Sequence, residues 1–207
     1  MRKIVTAPTI IEDAYAAQGI TAIAGVDEAG RGALAGPVVA CAVVLPTGCV
    51  IEGVNDSKKV SAKRREELAK RIEDTALSFS FGIMNVDVIE EINILQASLM
   101  AMGSAVGGLR TMPGIALVDG NQVPQNLLCK AFCIKQGDSA SHLIAAASIL
   151  AKVERDKIMC ELHNKHPEYG FDKHKGYGTI AHKAAIERFG LCVHHRMSFC
   201  KAFDRHK

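Results

Sequence analysis

The sequence predicts an α/β fold, a mixed central β-sheet flanked by helices. Two observations carry the prediction. Three strand-like stretches come early, and helices then alternate with strands, a pattern that demands both antiparallel and parallel neighbours in one sheet. No internal repeat, low-complexity tract or linker interrupts the chain, so residues 1–207 read as a single domain, with 1–20 as an N-terminal extension.

Residues 21–29 form an apolar run and read as the first strand. "PVVACAVVLP" (37–46) is the second, bounded by Pro37 and Pro46. "NDSKKVS" has turn chemistry, and helical spacing follows from about Ser61, with Leu68, Ile72 and Leu77 on one side. "LSFSFGIM" alternates as a half-buried strand does. Residues 85–109 read as one long helix with Asn85 or Asp87 near its cap and glycines at its end. "IALVD" is a short buried strand ending at Asp119, and "KAFCIKQGD" another ending at Asp138. Residues 139–166 form a second long helix, in which the small residues of "IAAASILA" suit close packing on the sheet. A glycine-rich basic loop (167–179) precedes a last helix over roughly 180–189.

Composition narrows the function classes. With 48% hydrophobic and 23% charged residues, the chain has the balance of a soluble globular protein. No apolar run approaches the roughly 18–20 residues that span a bilayer. The N-terminal stretch contains Glu12 and Asp13 and makes a poor secretory signal. The seven cysteines form no C-x-x-C pair and read as reduced, mostly buried thiols; Cys129 and Cys133 lack the second pair a zinc site needs. The expectation is a cytoplasmic monomer. Charge is uneven: residues 1–151 hold 13 basic and 15 acidic side chains, whereas residues 152–207 hold 12 basic and 7 acidic. Seven of the eight histidines also fall in that basic last quarter, as a polyanionic ligand would favour.

Four acids are placed unusually. Asp27 and Glu28 end the first strand, Asp119 ends "IALVD", and Asp138 ends "CIKQGD", just before a helix. Strand ends along one edge of an α/β sheet are where ligand sites form. Taken singly, Asp138 also suits a helix cap and Asp119 a turn. Adjacent acids in a strand are harder to explain structurally, because strands disfavour them and they repel each other. Clustered carboxylates without Cys or His partners suit hard divalent cations such as Mg²⁺ or Mn²⁺, and three or four acids suffice for the two-ion arrangement of phosphodiester hydrolysis. One geometric difficulty arises, since successive strand residues face opposite ways. Regular pairing must stop at or beside Glu28 if both acids are to share one site.

The segments "AGVDEAGRGALAGPVV", "NDSKKVS", "LVDGN", "GDS", "IAAASILAKVERD" and "HKGYGT" together resemble bacterial ribonuclease HII, the type 2 ribonucleases H, over about residues 20–200. The resemblance implies a ribonuclease H-like fold and endonucleolytic hydrolysis of the RNA strand of RNA–DNA hybrids. It also implies incision 5′ of single ribonucleotides embedded in duplex DNA, leaving 3′-hydroxyl and 5′-phosphate ends. It places the metal-binding carboxylates on Asp27, Glu28, Asp119 and Asp138, holding two Mg²⁺ or Mn²⁺ ions. Gly30, Arg31 and Gly32 would contact the 2′-hydroxyl and backbone of the ribonucleotide. Tyr177 would sense the junction with the following deoxynucleotide, and Lys58 would contact a phosphate, with Lys152 and Lys175 as weaker candidates. His194-His195-Arg196 reads as a solvated or structural turn. The related type HIII enzymes usually lack this G-R-G form and carry an extra N-terminal domain, which disfavours that reading. Two other classes compete: a nucleic-acid binding protein without catalysis, and a phosphohydrolase of small metabolites.

Overall fold

The computed structural model describes residues 5–203. Parts of the predicted 1–20 extension and the last four residues lie outside that range. In chain order the elements are α1 (Ile10–Ala16), β1 (Ile23–Ala29), β2 (Val38–Val44), α2 (Ala62–Thr75), β3 (Ser78–Met84), α3 (Val86–Gly107), β4 (Ile115–Asp119), β5 (Lys130–Ile134), α4 (Gly137–Ala140), α5 (His142–Lys165), α6 (Phe171–His174) and α7 (Ile180–Phe189). The five strands form one mixed sheet in the order β3-β2-β1-β4-β5. β1 runs antiparallel to β2 and parallel to β4, so the predicted mixture is present. β3 pairs antiparallel with β2, and β5 parallel with β4.

Strand alternation divides the core into two layers. Ile23, Cys41, Val43, Ile115 and Leu117 face α5, and Ala24, Val26, Val38, Ala40 and Val118 face α3. β2 is buried along its whole length, which matches its uninterrupted apolar run. The crossing of α5 over β1 is close enough to exclude a methyl group. A Cβ built on Gly25 would lie 2.2 Å from the Leu143 carbonyl carbon and 2.3 Å from its oxygen. The small residues that follow, Ala145 to Ala147, are fully buried in the same contact. The N-terminal extension is tied to this helix: the Glu12 carboxylate accepts from Ser141 Oγ at 2.6 Å and from Leu143 N at 2.9 Å. An acid there compensates main-chain donors and the positive end of a long helix.

Several elements depart from expectation for local reasons. α3 breaks at Asn93, whose φ is +67°, and the Asn93 carboxamide accepts from Leu95 N and Gln96 N as the cap of a second helical segment. α2 ends at Thr75, so Leu77 lies outside it and is exposed. Asp138 ends no strand, because β5 stops at Ile134 and Gln136 takes a left-handed turn into the short α4. The cap of α5 is Ser141, not Asp138. The cysteines are less buried than expected: all are free, but Cys41 and Cys200 alone are fully buried and Cys160 is exposed.

The last quarter packs as an aromatic and histidine cluster over α5, around Tyr169, Phe171, His174, His182 and His195. His195 and Arg196 are fully buried, so the H-H-R turn is structural. Burial, reinforced by His174, holds His182 down to about 4, and burial with His182 does the same to His195. A histidine lowered in the folded state keeps its stabilising neutral form above its ordinary value of 6.5 and loses that contribution as pH falls towards about 4.

Two outcomes follow from this packing. Gly25→Ala should destabilise the protein by about 1–3 kcal/mol or more, because backbone rather than a flexible side chain stands in the way. Chemical denaturation measures it, and an unchanged midpoint would mean that α5 is not in contact with β1. The ring signals of His182 and His195 in an NMR titration should stay neutral to about pH 5, while an exposed histidine titrates near 6.5. Titration of both near 6.5 would contradict their neutral burial.

Candidate active site

β1 carries Asp27 and Glu28 to the end of the sheet. Its pairing with β4 ends at Val26 opposite Val118, whereas its pairing with β2 continues through Glu28 and Ala29. The expected interruption at Glu28 therefore occurs on the β4 side alone. That suffices: alternation points Asp27 towards α5, and Glu28, with no β4 residue beside it, reaches the same cleft. Asp27, Glu28 and Asp119 line a cleft of about 310 Å³ with Gly30, Arg31, Gly32, Ser57, Lys58, Arg65, Ser148, Lys152 and Tyr177. Of the predicted residues, Asp138 and the weaker candidate Lys175 are not on its wall. Asp138 stands just behind, with Oδ2 3.4 Å from Lys58 Nζ. Asp119 Oδ1 accepts from Gly137 N at 2.7 Å, which anchors the chain leading into Asp138.

The electrostatics are those of acids forced together. Burial pushes the Asp27 carboxyl well above the usual carboxylate range, and the charges of Glu28 and Asp119 push it further, while the neighbouring Ser148 hydroxyl and the hydrogen bond from Glu28 N oppose them. Burial also raises Glu28, against the Arg31 guanidinium 3.2 Å from its Oε1. Burial and Asp56 raise Asp138 against the pull of Lys58. Glu28 Oε2 is buried without a hydrogen-bond partner. A buried carboxylate oxygen without a partner, beside further carboxylates, is a donor set for a hard divalent cation. Among the described residues no three His, Cys, Asp or Glu side chains stand close enough together to hold a metal ion as placed.

The loop behind the acids is held from inside by two buried arginines. Arg155 donates to the carbonyls of Pro37, Ala35 and Lys175, at 2.9, 3.1 and 2.9 Å. Arg196 donates to Arg31 O at 3.0 Å and twice to Gly36 O. Gly30 is required by this packing, since its φ is +99° and a Cβ would lie 2.0 Å from Arg155 Nε. A Cβ on Gly32 would meet nothing, so that segment is open to an approaching ligand. Tyr177 is half-buried, with Arg155 Cζ 5.3 Å and Lys152 Nζ 5.6 Å from its ring centre.

The candidate lysines differ. Lys58 is largely exposed at the rim, on a short turn capped by Asp56, which accepts from Lys58 N. Lys152 lines the cleft and pairs with Asp156. Lys175 turns away, with Nζ 3.0 Å from Cys160 Sγ in a neighbouring groove. Sequence reasoning missed Arg155 and the chain in which Ser148 Oγ donates to Ser57 Oγ at 2.9 Å, and it named Arg196 only as part of a solvated or structural turn. Arg155 did leave a signal. It falls four residues after Ala151 and seven after Ser148, on the buried side of α5.

A mixed sheet of this order, with acids gathered where its central parallel pair ends, defines a nuclease of the ribonuclease H-like fold. The family model described as ribonuclease HII matches residues 24–202. The chain belongs to the ribonuclease HII family, the metal-dependent endoribonucleases that act on RNA–DNA hybrids. It is 52% identical over 192 residues to a ribonuclease HII of Chlamydia muridarum, covering 92% of this chain and 88% of that protein. It is 56% identical over 177 residues to one of Delftia acidovorans, covering 86% and 75%. Among solved structures, the fold resembles ribonuclease H2 of Pyrococcus horikoshii, with a TM-score of 0.71, 24% identity and coverage of 89% and 100%. It also resembles the ribonuclease HII solved in complex with PCNA from Archaeoglobus fulgidus, with a TM-score of 0.71, 28% identity and coverage of 90% and 95%. Among the described residues no helix is long and apolar enough to cross a membrane.

If the acids form a cation site, Asp27→Asn should raise the melting temperature in EDTA by a few degrees. It removes a buried charge whose ionised form is destabilising at neutral pH, and its amide oxygen can still accept from Glu28 N. Mg²⁺ or Mn²⁺ should then stabilise the wild type more than the variant. A variant no more stable than wild type in EDTA, and equally stabilised by metal, would remove these acids from the site.

Proposed function

We propose that the protein hydrolyses the RNA strand of RNA–DNA hybrids and also incises 5′ of single ribonucleotides embedded in duplex DNA, leaving 3′-hydroxyl and 5′-phosphate ends. The observation that carries this reading is one cleft shared by three carboxylates, the Arg31 loop and Tyr177. Chemistry and recognition of a sugar step then act on adjacent positions of one duplex.

Asp27, Glu28, Asp119 and Asp138 would hold two divalent ions, Mg²⁺ or Mn²⁺, which would supply activation of water and stabilisation of the leaving oxygen in an in-line displacement. The chain's own groups do the rest. The Glu28 amide orients Asp27, and Gly137 N orients Asp119. The open backbone at Gly30-Arg31-Gly32 meets the 2′-hydroxyl, which both donates and accepts. The Tyr177 ring packs on the following deoxyribose, where a 2′-hydroxyl would crowd it. Lys58, and Lys152 beside it, meet phosphates on the rim. A binder without catalysis would gain nothing from acids turned towards phosphates. The basic rim of Arg31, Lys58, Arg65 and Lys152, with Tyr177 among them, favours a duplex over a small phosphate ester.

A DNA duplex with one ribonucleotide, incubated with Mg²⁺, Mn²⁺ or EDTA, tests the reading. The expected result is one cut 5′ of the ribonucleotide with either metal and none in EDTA. Absence of cutting under both metals overturns it. Arg31→Ala should slow this cut by about ten- to a hundredfold, more than it slows cutting of a long hybrid. Equal losses on both substrates would leave Arg31 a purely structural part of the loop.

A further inference from the structure

Beneath Tyr177 lies a hydrogen-bonded histidine pair that the chemistry above does not use. Cys192 N donates to His195 Nδ1 at 3.0 Å, so that nitrogen presents its lone pair. The neutral His195 ring then carries its proton on Nε2, which lies 3.1 Å from His182 Nε2. For a hydrogen bond to form there, His182 must accept, which places its own proton on Nδ1. His182 Nδ1 is 3.0 Å from the Tyr177 carbonyl, which it reaches as a donor. Every link has one donor and one acceptor, and only this pair of tautomers satisfies all three.

The same segment grips the Arg31 loop. His195 pairs with Ala35 in an isolated antiparallel bridge, Gly36 N donates to His194 O at 2.9 Å, and Arg196 N donates to Leu34 O at 2.8 Å. From the other side, Leu34 N donates to Gly176 O at 2.8 Å. His195 thus belongs by its main chain to the Arg31 loop and by its ring, through His182, to Tyr177.

We infer that His182 and His195 are positioning residues that lock Tyr177 to the Arg31 loop and so set the preference for single embedded ribonucleotides over long hybrids. The inference rests on the proposed roles of Arg31 and Tyr177. Reading a junction requires the two loops at a fixed separation, whereas a continuous hybrid can be cut in any register. Protonating either ring would leave two donors facing each other. Three neighbouring rings resist that, since His174 stacks on His182 at 4.3 Å and His166 and His194 stand near His195; the Cys192 thiol also lies 3.2 Å from His195 Nδ1. Glu168, on the turn before α6, and Asp172 face His166 and His163 instead.

The test compares kcat/KM on a duplex with one ribonucleotide and on a long hybrid, for wild type, His195→Gln, His195→Leu and His182→Phe, with melting temperatures alongside. His195→Gln keeps a side-chain N–H that can point at His182. The wild type must cut both substrates before the variants are read; failure at that step counts against the proposed function and not against the lock. His195→Leu and His182→Phe should lose about tenfold or more on the single ribonucleotide and less than about threefold on the hybrid, with the loss in kcat. His195→Gln should recover most of it. Parallel losses on both substrates that follow melting temperature would overturn the inference. Should the Leu and Phe variants fail to fold, nitrogen NMR of the wild-type rings decides: Nδ1–H on His182 with Nε2–H on His195 supports the lock, and any other pair of tautomers refutes it.

Discussion

The buried guanidinium of Arg155 is the contact on which the site most depends. It has no exposure to solvent, and its hydrogen bonds go to three main-chain carbonyls from two separate segments, residues 35–37 and residue 175. A buried cation satisfied by carbonyls is costly to strand. Moving any one partner leaves an N–H without a bond in a medium where water cannot replace it. The two segments are therefore held at fixed positions over α5, the helix whose backbone meets β1 at Gly25. Arg196 repeats the device from the opposite side by holding Arg31 O and Gly36 O. Burial lowers the Arg196 guanidinium to about 10, which still leaves it charged at neutral pH.

These two cations also set the charge layering of the cleft. Acids stand at the sheet's end, and guanidiniums lie beneath the loop beside them. The acids alone would repel a nucleic-acid backbone, and the two wholly buried guanidiniums offset part of that charge without touching a ligand. Arg31 lies between the layers, its guanidinium on Glu28 and its carbonyl on Arg196. The G-R-G turn is thereby given three jobs within three residues. Gly30 clears room for Arg155, Arg31 links acid to cation, and Gly32 leaves the backbone open.

Most of the sheet was legible because its periodicities are simple. β2 is apolar throughout and proves wholly buried, and "IALVD" ends at Asp119 as its pattern requires. Asp27 and Glu28 were legible because two acids at a strand end oppose both strand propensity and mutual repulsion. The failures share one cause, which is that local pattern does not report tertiary partners. Arg155 is charged, and charge is read as solvation until a carbonyl-lined interior accepts it. Asp138 looked like a strand end because nothing in "KQGD" announces the left-handed turn at Gln136. Asn93 breaks α3 through a side-chain bond that helix propensity alone does not foresee.

The placement of the acids follows from strand geometry more than from any local preference. Asp27 and Glu28 project to opposite faces of the sheet, so in mid-strand one would be buried against α5 and the other against α3, with no common site. They can meet only where the sheet is incomplete on one side. β1 is the strand at which antiparallel and parallel halves join, and its β4 partner stops two residues before Glu28. One flank therefore remains paired and rigid while the other opens onto the cleft. Asp119, the last residue of β4, closes that opening on the face that Asp27 shares. A pair of adjacent carboxylates is consequently tolerated at this end of the central strand and would be unstable a few residues earlier, where Ala24 and Val26 occupy fully buried positions against α3.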